Sequence, residues 1–336
     1  MKRALAVVAA LAVGLMQAHA DTPPILLRMQ NAADTLNYRG VLVQIQGNHT
    51  QTLRLLHRAG ANGGDDRVNS LQGRYWEMRR SGNTCRVALS AARSAREEAL
   101  VAAVFPSLLP SRLQRLAAFY DFAPIGSGRI ADRAADFTVA RPRDEYRFPY
   151  LLVTDAATGL LLKVSLLDNG GRELRQAFFV DLELLDDIPE AEWERTPAMA
   201  PATQQWRDYR LGQRAKDNTS PWRIDSLPPG FAVRGYGRER LPGSDQDVEQ
   251  LTVSDGLATI SVFIDRMTEG DKSLQGAGHV EALPAYGTTV DGRHVTLLGA
   301  VPTVSLEHIA KSLTLAPVAA PVTLAPPVSL SPVKDP

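Results

Sequence analysis

One cysteine in 336 residues is the first scarcity. A single thiol makes no intramolecular disulfide and no multi-thiolate zinc or iron–sulfur site, so stability rests on burial and hydrogen bonding. An excess of either charge is also missing. The 37 Lys+Arg balance the 37 Asp+Glu, which removes the positive footprint of a dedicated nucleic-acid binder. Beyond residue 20 no apolar run has the length of a membrane-spanning helix. Local catalytic signatures are wanting as well: there is no G-x-S-x-G elbow, no G-x-x-x-x-G-K-[ST] phosphate loop and no H-E-x-x-H helix. Gly235-Tyr236-Gly237 lacks the third glycine of a dinucleotide loop and reads as a tight turn. His49, His57, His279, His294 and His308 have no carboxylate or thiolate cluster beside them in sequence and read as strand-surface residues rather than ligands. The expectation is a protein without cofactor, metal or enzymatic activity, although a triad assembled from distant segments leaves no local trace.

What is present is a 44% apolar chain long enough for two ordinary domains with real cores. Lys2 and Arg3, the apolar run Ala4 to Met16, and Ala18-His19-Ala20 predict a signal peptide over 1–20 with Asp21 as the new terminus, hence secretion across the inner membrane. Cys85 then enters an oxidising compartment unpaired, either buried in a strand or available for an intermolecular bridge.

The expected fold class is α+β. A helix is predicted around Ile25 to Leu36. Val41, Val43 and Ile45 alternate with Leu42, Gln44 and Gln46, and with Leu53 and Leu55 beyond Gly47-Asn48 they predict an antiparallel hairpin. Gly60 to Asp66 reads as a loop, and Tyr75 to Met78 with Thr84 to Ala88 as a second hairpin. Ser90 to Phe105 and Leu108 to Tyr120 carry helical spacing and are candidate lids. Strands return at Phe137 to Ala140, Tyr146 to Val153, Leu160 to Leu167 and Leu174 to Leu182. Asp181 to Glu194 holds seven acids and no base and reads as a solvated connector, placing the boundaries at 21–185, a linker at 186–221, and a second domain at 222–315. In that domain Asp255-Gly256 and Asp291-Gly292 mark hairpins, and Thr303 is expected to cap a helix bearing Leu306, Ile309, Ala310 and Leu313. Residues 316–336 contain six prolines and predict an extended tail.

Several segments together resemble the MucB/RseB family of periplasmic regulators of the envelope-stress sigma factor. They are Leu36-Asn37-Tyr38-Arg39-Gly40-Val41, Thr52-Leu53-Arg54 with His57-Arg58, Phe105 to Pro110, Pro142 to Arg147, Thr158 to Lys163, and Ser254-Asp255-Gly256-Leu257-Ala258 with Ser261 to Ile264. The resemblance runs from Ala33 to Leu313, and no single motif in it is decisive. Pro149 departs from the family pattern and predicts an edge or bulged strand there.

The resemblance implies an N-terminal half-open antiparallel β-barrel with inserted helices, like a lipoprotein carrier, and a smaller C-terminal α+β domain. It implies a non-enzymatic regulator that binds the periplasmic domain of a membrane-bound anti-sigma factor, shielding it from proteolysis until lipid or mislocalised lipoprotein releases it. Val41, Val43, Leu53, Leu55, Phe105, Leu108, Leu109, Leu113 and Leu116 are the candidates for lining an acyl-chain cavity, or else they pack the sheet against its helices. Arg143, Tyr146 and Arg147 are partner-binding candidates, their guanidinium and aromatic mixture suiting an interface. Self-association is compatible with the sequence. A lipid or lipoprotein carrier with no signalling partner, and a secreted hydrolase with dispersed catalytic residues, are the competing alternatives.

Overall fold

The structure is a computed structural model that describes residues 22–61, 63–82, 84–89, 117–198, 200, 205–210, 220–240, 247–266, 274–280 and 283–315. The predicted signal peptide, the predicted lids up to residue 116 and the proline-rich tail lie outside the described residues.

Helix α1 (Pro24–Thr35) begins on Pro24, whose fixed φ and missing N–H suit a first turn. It buries Leu26, Met29 and Ala32 at three-residue spacing. The N-terminal strands are β1 (Asn37–Gln46), β2 (His49–Arg58), β3 (Asp65–Ser70), β4 (Trp76–Ser81), β5 (Thr84–Leu89), β6 (Tyr120–Ile130), β7 (Arg133–Pro142), β8 (Tyr150–Asp155), β9 (Leu161–Leu167), β10 (Glu173–Leu185) and β11 (Gln205–Arg210). They form one open antiparallel sheet in the order β11-β5-β4-β3-β2-β1-β10-β9-β8-β7-β6. The sheet curls enough to bring β6 near β10 without joining it.

Four sequence expectations change here. Residues 65–70 are a strand, and 120–130 form the long edge strand β6, kept irregular by a bulge between Pro124 and Gly126. The connector is not a free linker: Ile188 and Trp193 pack on Leu56 and Leu185, and β11 extends the N-terminal sheet by pairing with β5. Pro149 immediately precedes β8, an internal strand, so its missing N–H is spent before the ladder begins rather than at an edge.

Gly40 illustrates how tightly the centre of the sheet is built. A Cβ there would lie 2.6 Å from the Asp181 carbonyl oxygen and 2.9 Å from the Phe179 ring. Gly40→Ala is expected to cost about 1–3 kcal/mol through overpacking, read as a lower urea midpoint with an unchanged m-value.

The C-terminal module contains β12 (Trp222–Ile224), β13 (Ala232–Arg240), β14 (Asp247–Ser254), β15 (Thr259–Arg266), β16 (Gly276–Val280), β17 (Leu283–Val290), β18 (Arg293–Gly299), β19 (Leu313–Leu315) and helix α2 (Thr303–Ser312). Six strands pair in the order β13-β14-β15-β18-β17-β16, and β12 pairs with β19. Leu306, Ile309 and Ala310 of α2 share a core with Leu251, Val253, Ile260, Val262 and Leu297. Thr303 is the first helical residue rather than the cap; Pro302 holds that position, and its carbonyl accepts from the Ser305 N–H.

Candidate functional site

The inner face of the N-terminal sheet is the face that α1 covers. Its centre is apolar: Leu42, Leu53, Leu55, Val68, Met78, Val87, Ala177 and Phe179 are buried in one cluster with Leu26, Met29 and Ala32 of α1. The strand register corrects the expected lining. Leu53 lies opposite Leu42 and Leu55 opposite Gly40, whereas Val41 and Val43 lie opposite Arg54 and Thr52. Side chains alternate along a strand, so Val41 and Val43 occupy the opposite face from Leu53 and Leu55 and are only half-buried. The alternating run carries apolar residues in both phases, and the inward phase is that of Leu42, not that of Val41 and Val43. Phe105, Leu108, Leu109, Leu113 and Leu116 lie outside the described residues.

One end of this face is closed by a polar knot. His57 is buried, not on the surface as expected. Its Nδ1 is 2.6 Å from the Asp66 carboxylate and its Nε2 is 2.8 Å from the Ala33 carbonyl oxygen at the end of α1. The ring thereby ties the end of α1 to β3. Arg80 Nε donates to the second Asp66 oxygen at 2.6 Å, and its Nη2 to the Gly63 carbonyl at 2.7 Å. Burial pushes the Asp66 carboxyl up, but the hydrogen bonds and charges of His57 and Arg80 outweigh it and hold the group below its ordinary 3.8. Tyr38 stacks on His57 with ring centroids 4.5 Å apart. Cys85 is buried here, and burial raises its thiol to about 11, so it is a packing residue.

On the outer face the acidic connector is strapped down. Arg39 contacts Glu183 and Glu192 at 2.8 and 3.0 Å, Arg58 contacts Glu190 at 3.1 Å, and Arg79 contacts Glu194 at 2.9 Å. These pairs are largely solvated and contribute about 0–1 kcal/mol each, so they orient more than they hold. The anchors are the buried Ile188 and Trp193, the latter under the Arg58 guanidinium at 4.5 Å. Beneath the strap, buried Glu77 binds Arg67 at 2.8 Å and Arg79 at 2.9 Å, and Arg67 in turn donates to the Trp193 carbonyl.

The two modules meet around Arg147. Its side chain is fully buried. Nε donates to Asp255 Oδ2 at 2.8 Å, Nη2 to the Pro229 carbonyl at 2.6 Å, and Nη1 to Asp144. The guanidinium also lies 4.2 Å from the Phe119 ring and 4.7 Å from the Phe231 ring. The other oxygen of Asp255 accepts the N–H groups of Leu257 and Ala258, both at 2.8 Å, so one carboxylate shapes the β14–β15 turn and receives the cation. Tyr146 packs edge-on against His308, and its carbonyl accepts from Ser305 of α2 at 2.7 Å. The partner-binding expectation is corrected at Arg147, which is spent inside the chain. Arg143 stays about half exposed, paired with Asp121 at 2.7 Å. The sequence segments Pro142 to Arg147 and Ser254 to Ala258 thus converge, which their separation in the chain conceals. Among the described residues no group of three or more His, Cys, Asp or Glu is placed to hold a metal ion, and no helix is long and apolar enough to cross a membrane.

An open sheet with a helix-covered apolar face, latched to a smaller sheet-and-helix module, defines a two-domain α+β protein. The MucB/RseB N-terminal domain model matches residues 21–197, and the MucB/RseB C-terminal domain model matches residues 216–314. The chain belongs to the MucB/RseB family. It is 30% identical to the sigma factor AlgU regulatory protein MucB of Pseudomonas aeruginosa, over 88% of this chain and 91% of that protein. It is 27% identical to the sigma-E factor regulatory protein RseB of Escherichia coli K12, over 89% of this chain and 93% of that protein. Among solved structures, the complex of Pseudomonas aeruginosa MucA and MucB matches with a TM-score of 0.67 and 25% identity, covering 88% of this chain and 98% of that one. The crystal structure of MucB in complex with MucA(peri) matches with a TM-score of 0.66 and 26% identity, covering 89% of this chain and 100% of that one.

Proposed function

We propose that this protein is a non-enzymatic periplasmic negative regulator of an envelope-stress sigma factor. It holds the periplasmic domain of a membrane-bound anti-sigma factor, shields it from proteolysis, and lets go when lipid or mislocalised lipoprotein engages the N-terminal module. The observation that carries the partner is the match over both modules to MucB in complex with MucA(peri), at a TM-score of 0.66. The regulatory names of the relatives support a role without catalysis.

The lipid arm of the reading rests on the apolar inner face. Leu42, Leu53 and Leu55 are fully buried against α1, so acyl methylenes would replace contacts already made there. Each methylene buried contributes about 0.8 kcal/mol, and a chain of several is enough to compete with a short helix face. Arg143, half exposed beside the junction, remains a partner-contact candidate.

Purified mature protein is expected to retain the anti-sigma periplasmic domain in a pull-down and to slow its cleavage by protease, with an acylated lipoprotein peptide reducing both effects. Absence of retention and protection would defeat the regulatory reading. Transfer of lipoprotein between membranes without either effect would instead establish the carrier.

A further inference from the structure

We propose that Arg147 is a releasable clasp that sets the orientation of the two modules, with Phe119 as the wedge through which the N-terminal core acts on it. The two apolar cores are separate clusters. Among the described residues, Leu257 is the single apolar side chain of the C-terminal module that joins the N-terminal core. Modules joined by so little apolar contact move relative to one another unless something else fixes them. Tyr146 meets Ser305 and His308 across the junction, but the densest set of contacts converges on one guanidinium. It reaches Asp255 and the Pro229 carbonyl in one module, is backed by Asp144 in the other, and is held between a phenylalanine from each. A planar five-donor fork suits this task and an ammonium does not.

The wedge has its own geometry. Ala117 and Tyr120 are buried in the N-terminal core with Leu42, Leu53 and Leu55, so the turn that carries Phe119 is anchored in the inner-face cluster. Phe119 leaves that turn and presses on Gly230 of the C-terminal module. Gly230 has φ +80°, and a Cβ on it would lie 2.3 Å from the Phe119 ring. A rearrangement of the inner-face core therefore moves Ala117 and Tyr120, displaces Phe119, and removes one aromatic wall from Arg147. This adds to the proposed regulator a physical route from core to junction, and it rests on that reading only for what release means.

The test uses the mature chain with Cys85→Ala and nitroxides on Val180→Cys and Leu315→Cys, two exposed sites in different modules. Double electron–electron resonance is expected to give one narrow distance distribution. Arg147→Gln should broaden or shift it, and so should Asp255→Asn, which keeps an oxygen for the Leu257 and Ala258 N–H groups but loses the ion pair. Should Arg147→Gln fail to fold, Asp255→Asn alone decides. Distributions superimposable on the parent would overturn the clasp. Ala117→Val, a substitution within the N-terminal core cluster, should shift the distance with Asp255 present and add nothing in the Asp255→Asn background. Equal shifts in both backgrounds, or no shift with Asp255 present, would overturn the wedge. No partner or lipid enters this experiment, so a failed pull-down would sink the regulatory reading and leave the clasp standing.

Discussion

Asp66→Asn is expected to destabilise the N-terminal module by about 3–5 kcal/mol, because it leaves the buried Arg80 guanidinium without a counter-charge and removes the carboxylate to which the His57 ring is hydrogen-bonded. Asp66 is 0% exposed and Arg80 5% exposed, so water cannot take over the lost contacts. The knot joins β2, β3 and β4 to the end of α1 through the Ala33 carbonyl and to the Gly63 loop, so its loss also frees the helix covering the inner face. The loop is held from its other side by Asp34, whose carboxylate accepts the Gly63 N–H at 2.6 Å. Urea titration of the two proteins checks the magnitude, and acidification checks the cause. The folded Asp66 carboxyl lies below its ordinary 3.8, so its contribution is complete above that value and fades as pH falls through the folded one. The stability gap between parent and Asp66→Asn should therefore hold at neutral pH and close progressively below about pH 4. A gap that stays constant on acidification would mean the charge is not what matters.

Glu77→Ala is expected to cost a further about 3–5 kcal/mol, for the same reason on the opposite face. Glu77 is 1% exposed and Arg67 6% exposed, and the Tyr75 hydroxyl donates to the same carboxylate at 2.5 Å. Arg67 bridges Glu77 to the Trp193 carbonyl, so the substitution should loosen the strap as well as the strand. Hydrogen exchange distinguishes the two consequences: amides of residues 188–195 should lose protection along with those of β4. Loss confined to β4 would show that Ile188 and Trp193 hold the strap unaided. The exposed arginine–glutamate pairs along the strap are too well solvated to take over.

How far the fold is legible in the sequence depends on whether local chemistry and local conformation agree. The β1–β2 and β14–β15 hairpins follow from alternation and from turn residues, and the structure has them at Asn37–Gln46 with His49–Arg58 and at Asp247–Ser254 with Thr259–Arg266. Strand β3 was illegible: Asp65-Asp66-Arg67-Val68-Asn69-Ser70 looks like a solvated loop, yet all but Asp65 are buried. Its polar side chains are tolerated because each main charge has a partner from another strand, Asp66 with His57 and Arg80, and Arg67 with Glu77. The same blindness put Val41 and Val43 on the face of Leu53 and Leu55, since a β run with apolar residues in both phases does not say which phase is inward. It also made Arg147 look like an exposed strand end, when two of its three acceptors lie 82 and 108 residues away.

Composition, the alternation of side chains and the ordered motifs determined the family, the two-module division and the absence of any local catalytic signature, because these depend on residue type and short spacing alone. Tertiary structure decided the inward phase of β1, the burial of the two ionic knots, the docking of the acidic connector and the commitment of Arg147 to the junction. Each of those depends on which distant groups meet in a place water does not reach, and there a charge is stabilised or penalised by partners that spacing along the chain does not reveal.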